Sequence, residues 1–355
     1  MEFGFSEDQG LLGETVRDFL QAECTPDIIR SLWETETGRS DEFWSRFSEI
    51  GVPGLLVPEE FGGLGLDERD LVLVLEETGR VGLAEPIVSV AAGVPLLVSL
   101  SQEGQSALAE QWLPAVATGD ARLAVGHAGS PFVSDAHVAD LIFMPHGDEL
   151  HALKRTDVEL TAQPANDQSQ RLFSLEWTPQ ESTCVASGAT GQRLQQELLD
   201  RGAMASAAQL LGVAQSLIDL GVDYTSQRKQ FGVAVGTFQA VKHRLANAKV
   251  KVEYARSVVY RAAHSVALNT SGRSVDVSMA KVAAGEAATF ATKESLQVHG
   301  AIGYTYEQDL HIWMKRAWSL DLAFGSGAWH RARVADAVID GSLPAETFGY
   351  SPVGS

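Results

Sequence analysis

The chain has 355 residues, enough for two or three layered sub-domains rather than one small core. Hydrophobic residues make up 45% and charged residues 21%, a globular composition that excludes a disordered chain. Lys and Arg number 27 against 46 Asp and Glu, a formal net charge of -19 that excludes a basic nucleic-acid footprint.

Residues 1–90 carry 20 acidic residues against 6 arginines and no lysine, which reads as a solvated acidic face. The first region, 1–117, reads as helical. Ser6-Glu7-Asp8-Gln9 suits a helix start, and Leu11, Leu12, Val16, Phe19 and Leu20 then recur at helical spacing. A second helix carries Phe43, Trp44, Phe47 and Ile50 and ends at Gly51. Val57 to Gly65 is a loop, with Gly62, Gly63 and Gly65 as turn formers. A third helix places Leu71, Val74, Leu75 and Thr78 on one side. Ile87–Leu100 is the longest apolar run, yet Gly93 and Pro95 interrupt it. It falls short of the roughly 20 residues a membrane span needs and reads as a buried core helix. The acidic start lacks the cationic segment of a signal peptide, so a cytoplasmic protein is expected.

The second region, 118–188, reads as a small antiparallel β unit. Its short apolar runs are Leu123–Val125, Leu141–Met144, Arg171–Leu175 and Cys184–Ala186, and Asp157–Gln170 is the least periodic stretch. Asp135, His137 and Asp140 lack a second imidazole or thiolate nearby and read as a solvated strand end, so no metal is assigned. Cys24 and Cys184 match no metal or redox spacing and read as buried thiols in a reducing compartment.

The third region, 189–341, returns to long helices. Met204, Ala207, Leu211, Ala214 and Ile218 step by three and four. Phe238, Val241, Leu245, Ala248, Val252, Ala255 and Val259 hold the spacing of a bundle seam. A further helix spans Val275 to Val298, and residues 342–355 form a loosely tied tail. Trp313, Trp318 and Trp329 are expected in packing roles. The fold class is mainly α with a small central β domain. No G-x-G-x-x-G follows a strand and no P-loop motif occurs, so neither standard nucleotide module is supported.

Several segments, in register and in order, carry a resemblance. They are Phe5-Ser6-Glu7-Asp8-Gln9 with Val16-Arg17-Asp18-Phe19-Leu20, then Pro58-Glu59-Glu60-Phe61-Gly62-Gly63-Leu64-Gly65, then Glu76-Glu77-Thr78-Gly79-Arg80. Later come Arg228-Lys229-Gln230-Phe231-Gly232, Phe238-Gln239, and Gln297-Val298-His299-Gly300-Ala301-Ile302-Gly303-Tyr304. Together they resemble the acyl-CoA dehydrogenase family. The resemblance implies N-terminal helices, a central β domain and a C-terminal four-helix bundle that builds a dimer or tetramer. It also implies FAD bound between subunits without a Rossmann module. The cofactor-binding residues it implies are Arg228, Phe231, Gln239, Gln297 and Gly300, facing the nucleotide half of a neighbour's FAD. A planar guanidinium suits phosphate oxygens, and Gly300 and Gly303 would let backbone N–H groups approach an anion.

The departures from the family pattern are as informative. Members of the family use a glutamate to remove the α-proton of an acyl thioester. The two positions where it is placed fall here on Phe324 and Gly202, and neither side chain takes a proton. The flavin-ring loop Thr-Glu-Pro-x-x-Gly-Ser-Asp corresponds roughly to Val125-Gly126-His127-Ala128-Gly129-Ser130, and no Trp-Ile-Thr/Ser segment follows. The expectation is therefore one subunit of a heteromeric acyl-CoA dehydrogenase, resembling the α2β2 actinobacterial enzymes of steroid side-chain CoA thioesters. A sister chain would supply the glutamate, and an electron-transferring flavoprotein would reoxidise the flavin. Two alternatives stand beside it: a complete homo-oligomeric enzyme with a base displaced to Asp200, Glu197 or Asp321, and a non-catalytic scaffold.

Overall fold

The structure, a computed structural model, describes residues 4–339, so the expected tail lies outside the described residues. The chain opens with helices α1 (Glu7–Glu23), α2 (Pro26–Trp33), α3 (Asp41–Glu49), α4 (Glu68–Arg80), α5 (Ile87–Gln102) and α6 (Ser106–Thr118). Seven strands follow: β1 (Leu123–Val125), β2 (Val133–Ser134), β3 (Leu141–His146), β4 (Glu149–Lys154), β5 (Glu159–Gln163), β6 (Leu172–Glu176) and β7 (Cys184–Ala186). Then come α7 (Gly188–Gln227), β8 (Lys229–Gln230), β9 (Val233–Ala234), α8 (Gln239–Ala267), α9 (Arg273–His299), α10 (Leu310–Leu322) and α11 (Gly327–Ile339). The mainly helical class with a small β region is as the sequence implies. The start of α1 also is: Ser6 Oγ accepts from the Gln9 N–H at 3.2 Å, and Gln9 Oε1 accepts from the Ser6 N–H at 2.9 Å.

The described residues form two compact units. The first takes the chain up to residue 26, 72–83 and everything from 206 on; the second takes 27–71 and 84–205.

In the first unit, α4 and α7 cross with their backbones touching. A Cβ on Gly79 would lie 2.0 Å from the Gln209 carbonyl oxygen, and one on Gly212 would lie 1.9 Å from the Glu76 carbonyl oxygen. Only glycine fits at either position. The crossing is tied by the Gln209 amide, which donates to Thr78 Oγ1 at 3.0 Å. The Arg80 carbonyl near the end of α4 accepts from Ser216 Oγ at 2.6 Å and from Trp313 Nε1 at 2.7 Å. Glu76 is buried and satisfied by α8: Arg256 donates to one carboxylate oxygen and the Tyr260 hydroxyl to the other, each at 2.7 Å. A buried carboxylate of this kind fixes helix registry, and loss of a partner costs about 3–5 kcal/mol. On α8, the seam residues Leu245, Ala248, Val252, Ala255 and Val259 are buried as the spacing predicts. Phe238 and Val241 are not: Phe238 precedes α8, which begins at Gln239, and Val241, in its first turn, lines an open cleft.

In the second unit, β1-β3-β4-β7 form one sheet and β2-β6-β5 another. The expected antiparallel unit needs one correction: β1 pairs with β3 in parallel, because the chain between them is long enough to cross over through β2. β5 lies within the aperiodic stretch. All five of its side chains are partly or fully solvated, without a clean alternation, which hides the period from the sequence. The side chains of Ala124, Val133, Ile142 and Leu153 form the β core, with Phe173 against it. Cys24 and Cys184 form no disulfide, and they are half-buried rather than buried as expected; burial pushes the Cys184 thiol up.

Arg39 is buried in an ion pair with Asp135. Beside them Glu85 accepts from the Ser40 N–H at 3.0 Å. Burial pushes the Glu85 carboxyl up to about 7, although Arg39, the Ser40 N–H and Arg122 all pull it down.

Two outcomes follow from this packing. Gly212→Ala destabilises the chain by about 2–3 kcal/mol, read from denaturant midpoints, through forced helix separation. Gly10→Ala, in α1 with nothing near its Cβ position, stabilises it by about 0.5–1 kcal/mol. Equal effects at the two sites would show that α4 and α7 do not touch. Glu85 gives a pH dependence. Its folded value lies near 7 against an ordinary 4.5, so the folded chain holds a proton the unfolded chain has lost. Its contribution is complete below about pH 4.5 and disappears as pH rises through 7, a fall of about 3 kcal/mol at most. Glu85→Gln flattens the stability profile between pH 5 and 8, and an unchanged slope would assign it to another group.

Candidate cofactor site

In the first unit, the end of α7, the β8–β9 hairpin, the start of α8 and the end of α9 enclose an open cleft of about 540 Å³. Tyr224, Arg228, Arg244, Gln297, Gly300 and Ile302 line it. Arg228 is the first residue after α7. Its N–H still donates to the Tyr224 carbonyl at 2.9 Å, and its own carbonyl accepts from the Val235 N–H at 2.8 Å. The backbone is thus fixed, while the exposed guanidinium has no hydrogen-bond or ion-pair partner among the described residues. Arg244 is compensated by Glu294 at 2.8 Å. His299 adds no charge: its ring stacks on Tyr224 at 4.5 Å, and burial lowers its basicity. Arg228 is therefore a fixed cation left without a counter-charge, facing an open cleft.

The structure brings Arg228, Gln297 and Gly300 to this one cleft. Gly300 ends α9 with φ +66°, and nothing lies within 4 Å of where its Cβ would stand. Its N–H already donates to the Gln297 and Leu296 carbonyls, so it contributes open space rather than a free donor. Gly303 is buried and its Cβ would meet His299 and Leu296 at about 3 Å, so its role is close packing, not the anion approach expected of it. Phe231 sits at the tip of the β8–β9 hairpin, 91% exposed, in the left-handed region with φ +53°. A phenyl ring held out in a strained turn against Phe238, at 6.3 Å, does nothing for its own chain's core. Gln239, the first residue of α8, is exposed and is not among the residues lining the cleft.

The expected base positions are apolar in fact as well as in sequence. Phe324 is buried, with φ +54°, and Gly325 follows at φ +108°. The loop is clamped from below. Fully buried Lys281 donates to the Asp321 and Gly325 carbonyls at 2.8 and 3.3 Å, and His330 Nε2 lies 3.1 Å from the Phe324 carbonyl. Gly202 lies inside α7 and is buried. Glu197 is held by Arg193 at 2.9 Å and Arg201 at 3.6 Å; Asp200 is buried and accepts from Gln196 at 3.1 Å. Asp321 packs its carboxylate on the Gly285 backbone.

In the second unit the Val125–Ser130 loop is closed on itself, with the Gly129 N–H donating to His127 Nδ1 at 3.2 Å and the Phe132 N–H to Ser130 Oγ at 3.1 Å. Asp135, His137 and Asp140 are structural: Asp135 pairs with Arg39, His137 Nε2 meets the Thr37 carbonyl at 2.8 Å, and Asp140 accepts from the Arg122 N–H at 2.9 Å. Trp313 is packed, whereas Trp318 and Trp329 are less than half exposed, the latter against His330 and Arg333. One cluster went unread in the sequence: His146, Glu149 and His151, whose ligand atoms lie within 4.8 Å of one another.

Comparison with known proteins adds the following. Residues 6–120 match the model "Acyl-CoA dehydrogenase, N-terminal domain" and residues 189–339 match "Acyl-CoA dehydrogenase, C-terminal domain". The chain is 33% identical over 316 residues to acyl-CoA dehydrogenase IpdE2 of Mycolicibacterium smegmatis, covering 88% of this chain and 93% of that one. Two solved structures share the fold. The ChsE4-ChsE5 complex from Mycobacterium tuberculosis has a TM-score of 0.83 at 24% identity, covering 96% of this chain and 99% of that one. A variant of the Tcur3481-Tcur3483 steroid ACAD has a TM-score of 0.82 at 22% identity, covering 95% and 99%.

If Phe231 serves something outside its own fold, Phe231→Gly does not cost the chain stability. Relief of the left-handed strain raises it by about 0.5–1 kcal/mol in chemical denaturation. A loss above 1 kcal/mol would give the ring a role inside its own chain.

Proposed function

Because the chain belongs to the acyl-CoA dehydrogenase family, whose members are FAD-dependent flavoproteins, we propose that it is the base-deficient subunit of a heteromeric acyl-CoA dehydrogenase. It lends binding groups to the nucleotide half of an FAD, and a sister chain supplies the carboxylate base. The observation that carries this reading is the pairing of an uncompensated Arg228 in an open cleft with apolar residues at both base positions.

The residues present fit the nucleotide half of FAD. Arg228 offers two parallel N–H donors to pyrophosphate oxygens, and no acid of this chain competes for it among the described residues. Gly300 leaves open space at the cleft wall, Gln297 and Gln239 offer amide donors and acceptors, and Phe231 offers an exposed aromatic face. FAD, when bound, accepts the β-hydrogen of the thioester as hydride.

The remaining chemistry is loss of the α-proton. That carbon is a weak acid, so the step requires a carboxylate in reach and a polarised thioester carbonyl. Phe324 has no atom that accepts a proton, and Gly202 has no side chain at all. The displaced-base reading meets an obstacle at two of its candidates: Glu197 is paired with two arginines, and Asp200 is shut from solvent. Asp321 is half-buried beside Gly285 and lines a separate open cleft, so the Asp321→Ala variant of the assembled complex is the control for it. The chain's own residues thus bind and orient, while proton removal falls to the partner.

Two-component assemblies among the fold neighbours support the heteromeric reading: one is the ChsE4-ChsE5 complex, the other Tcur3481-Tcur3483. The latter is named a steroid ACAD, which favours an acyl-CoA thioester with a steroid-derived acyl group as substrate. An α2β2 arrangement, a cytoplasmic setting and reoxidation by an electron-transferring flavoprotein complete the proposal. The exposed Tyr254, Tyr304, Tyr306 and Leu322 are apolar surface of the sort a partner subunit covers.

The test is Arg228→Ala in the complex assembled with the sister chain. FAD affinity falls at least tenfold, as loss of a charge-assisted bond of about 1.5–3 kcal/mol requires, while assembly by size-exclusion is unchanged. Unaltered FAD affinity would leave only the scaffold reading.

A further inference from the structure

We propose that the β3–β4 hairpin carries a divalent transition-metal site whose ligands are His146, Glu149 and His151. The site lies in the second unit and is independent of the flavin chemistry.

The hairpin brings the three side chains to one face. His146 and Glu149 are the closing cross-strand pair of a two-residue turn, Gly147-Asp148, with Gly147 at φ +60°. Directly opposed residues share a face, and His151 stands two residues beyond Glu149, on that same face. The turn is rigid: Gln195 Nε2 donates to the carbonyls of Gly147 at 3.2 Å and Glu149 at 2.9 Å. Glu149 Oε2 is the meeting point, 3.1 Å from His151 Nε2 and 3.8 Å from His146 Nδ1.

The buried His151 ring is held at both nitrogens: Thr183 Oγ1 lies 3.0 Å from Nδ1, and Glu149 Oε2 lies 3.1 Å from Nε2. The ring is thereby oriented with Nε2 toward the carboxylate, and the second imidazole, His146, approaches the same oxygen. Two imidazoles converging on one carboxylate are a donor set that a metal ion can bridge, and a hydrogen-bond partner on the far nitrogen of His151 fixes the ring for that role.

Two imidazoles and a carboxylate suit Zn2+, Co2+ or Ni2+ and not Mg2+ or Ca2+. Metal–ligand distances of about 2.0–2.2 Å put tetrahedral donor pairs about 3.3–3.5 Å apart. The donors here lie within 4.8 Å of one another, so His146 closes the gap by turning about its side-chain bonds. It is free to do so, because its side chain is 60% exposed. The remaining coordination positions face solvent and take water. Cys184, the cross-strand partner of His151, is not part of the cluster; its Sγ donates to the Ala186 carbonyl. Trp177 lies 5.0 Å from the His151 ring and 6.2 Å from the His146 ring, close enough to report on binding.

The untagged full chain is titrated with Co2+ and then with Zn2+ in competition, following visible absorption and tryptophan fluorescence. The expected result is one Co2+ per chain, displaced by Zn2+, with quenching that Trp177→Phe removes. His146→Ala and Glu149→Gln, whose side chains are both substantially exposed, each weaken binding at least tenfold without loss of folding, and Cys184→Ser leaves it unchanged. Wild-type affinity in both ligand variants, no stoichiometric Co2+ at micromolar concentration, or loss of binding in Cys184→Ser would each overturn the proposal.

Discussion

The contact on which the cofactor cleft depends lies some distance from it, at the crossing of α4 and α7. Gly79 and Gly212 let two backbones meet closer than any side chain permits, and this sets the position of α7. Ser295 of α9 donates to the Leu217 carbonyl at 2.6 Å, and Gly221 leaves room for Leu245 of α8, so both later helices are placed against α7. Near the end of α7, Tyr224 stacks on His299 of α9. Arg228 and Gln297 therefore reach one cleft as a consequence of packing that begins at two glycines. Glu76, one turn before Gly79, adds α8 to the same junction through Arg256 and Tyr260.

The loop around Phe324 keeps its geometry independently of the side chain it carries at the expected base position. Its geometry is held from behind by backbone carbonyls gripping Lys281 and His330, not by the side chain at its tip. Burial pulls the Lys281 ammonium down to about 8, with Asp321 opposing, so the clamp is a desolvated cation whose need for carbonyl partners keeps the loop in place. A phenyl ring fills the space that this clamp preserves.

The sequence made some features legible because their cause is local. The capping box of α1 and the buried stripe of α8 are set by residues three or four apart; the first stands where the spacing puts it, and the second does from Leu245 onward. The short helices α2 and α6 went unread: α2 buries only Ile29, and α6 carries Pro114 in its interior. The parallel pairing of β1 with β3 is a property of chain path and leaves no mark on either strand. Family motifs singled out Arg228, Gln297 and Gly300, but not how they act. That Gly300 gives space instead of a donor, and that Gly303 packs, depends on where the last carbonyls of α9 point. The His146-Gly147-Asp148-Glu149-Leu150-His151 run matches no standard ligand spacing. Its three ligand atoms converge only once a two-residue turn folds the strands together, and Thr183 and Gln195, which orient it, come from elsewhere in the chain.

If the chain grips the nucleotide without supplying a base, as proposed, it behaves differently alone and in company, and a flavin-to-chain count with turnover on the same samples reads this directly. The full chain by itself should retain well under one FAD per chain and show no acyl-CoA oxidation. Co-purified with its sister subunit, it should give one FAD per two chains and an active enzyme. One FAD per chain with full turnover in the absence of any partner would contradict the shared-site arrangement outright.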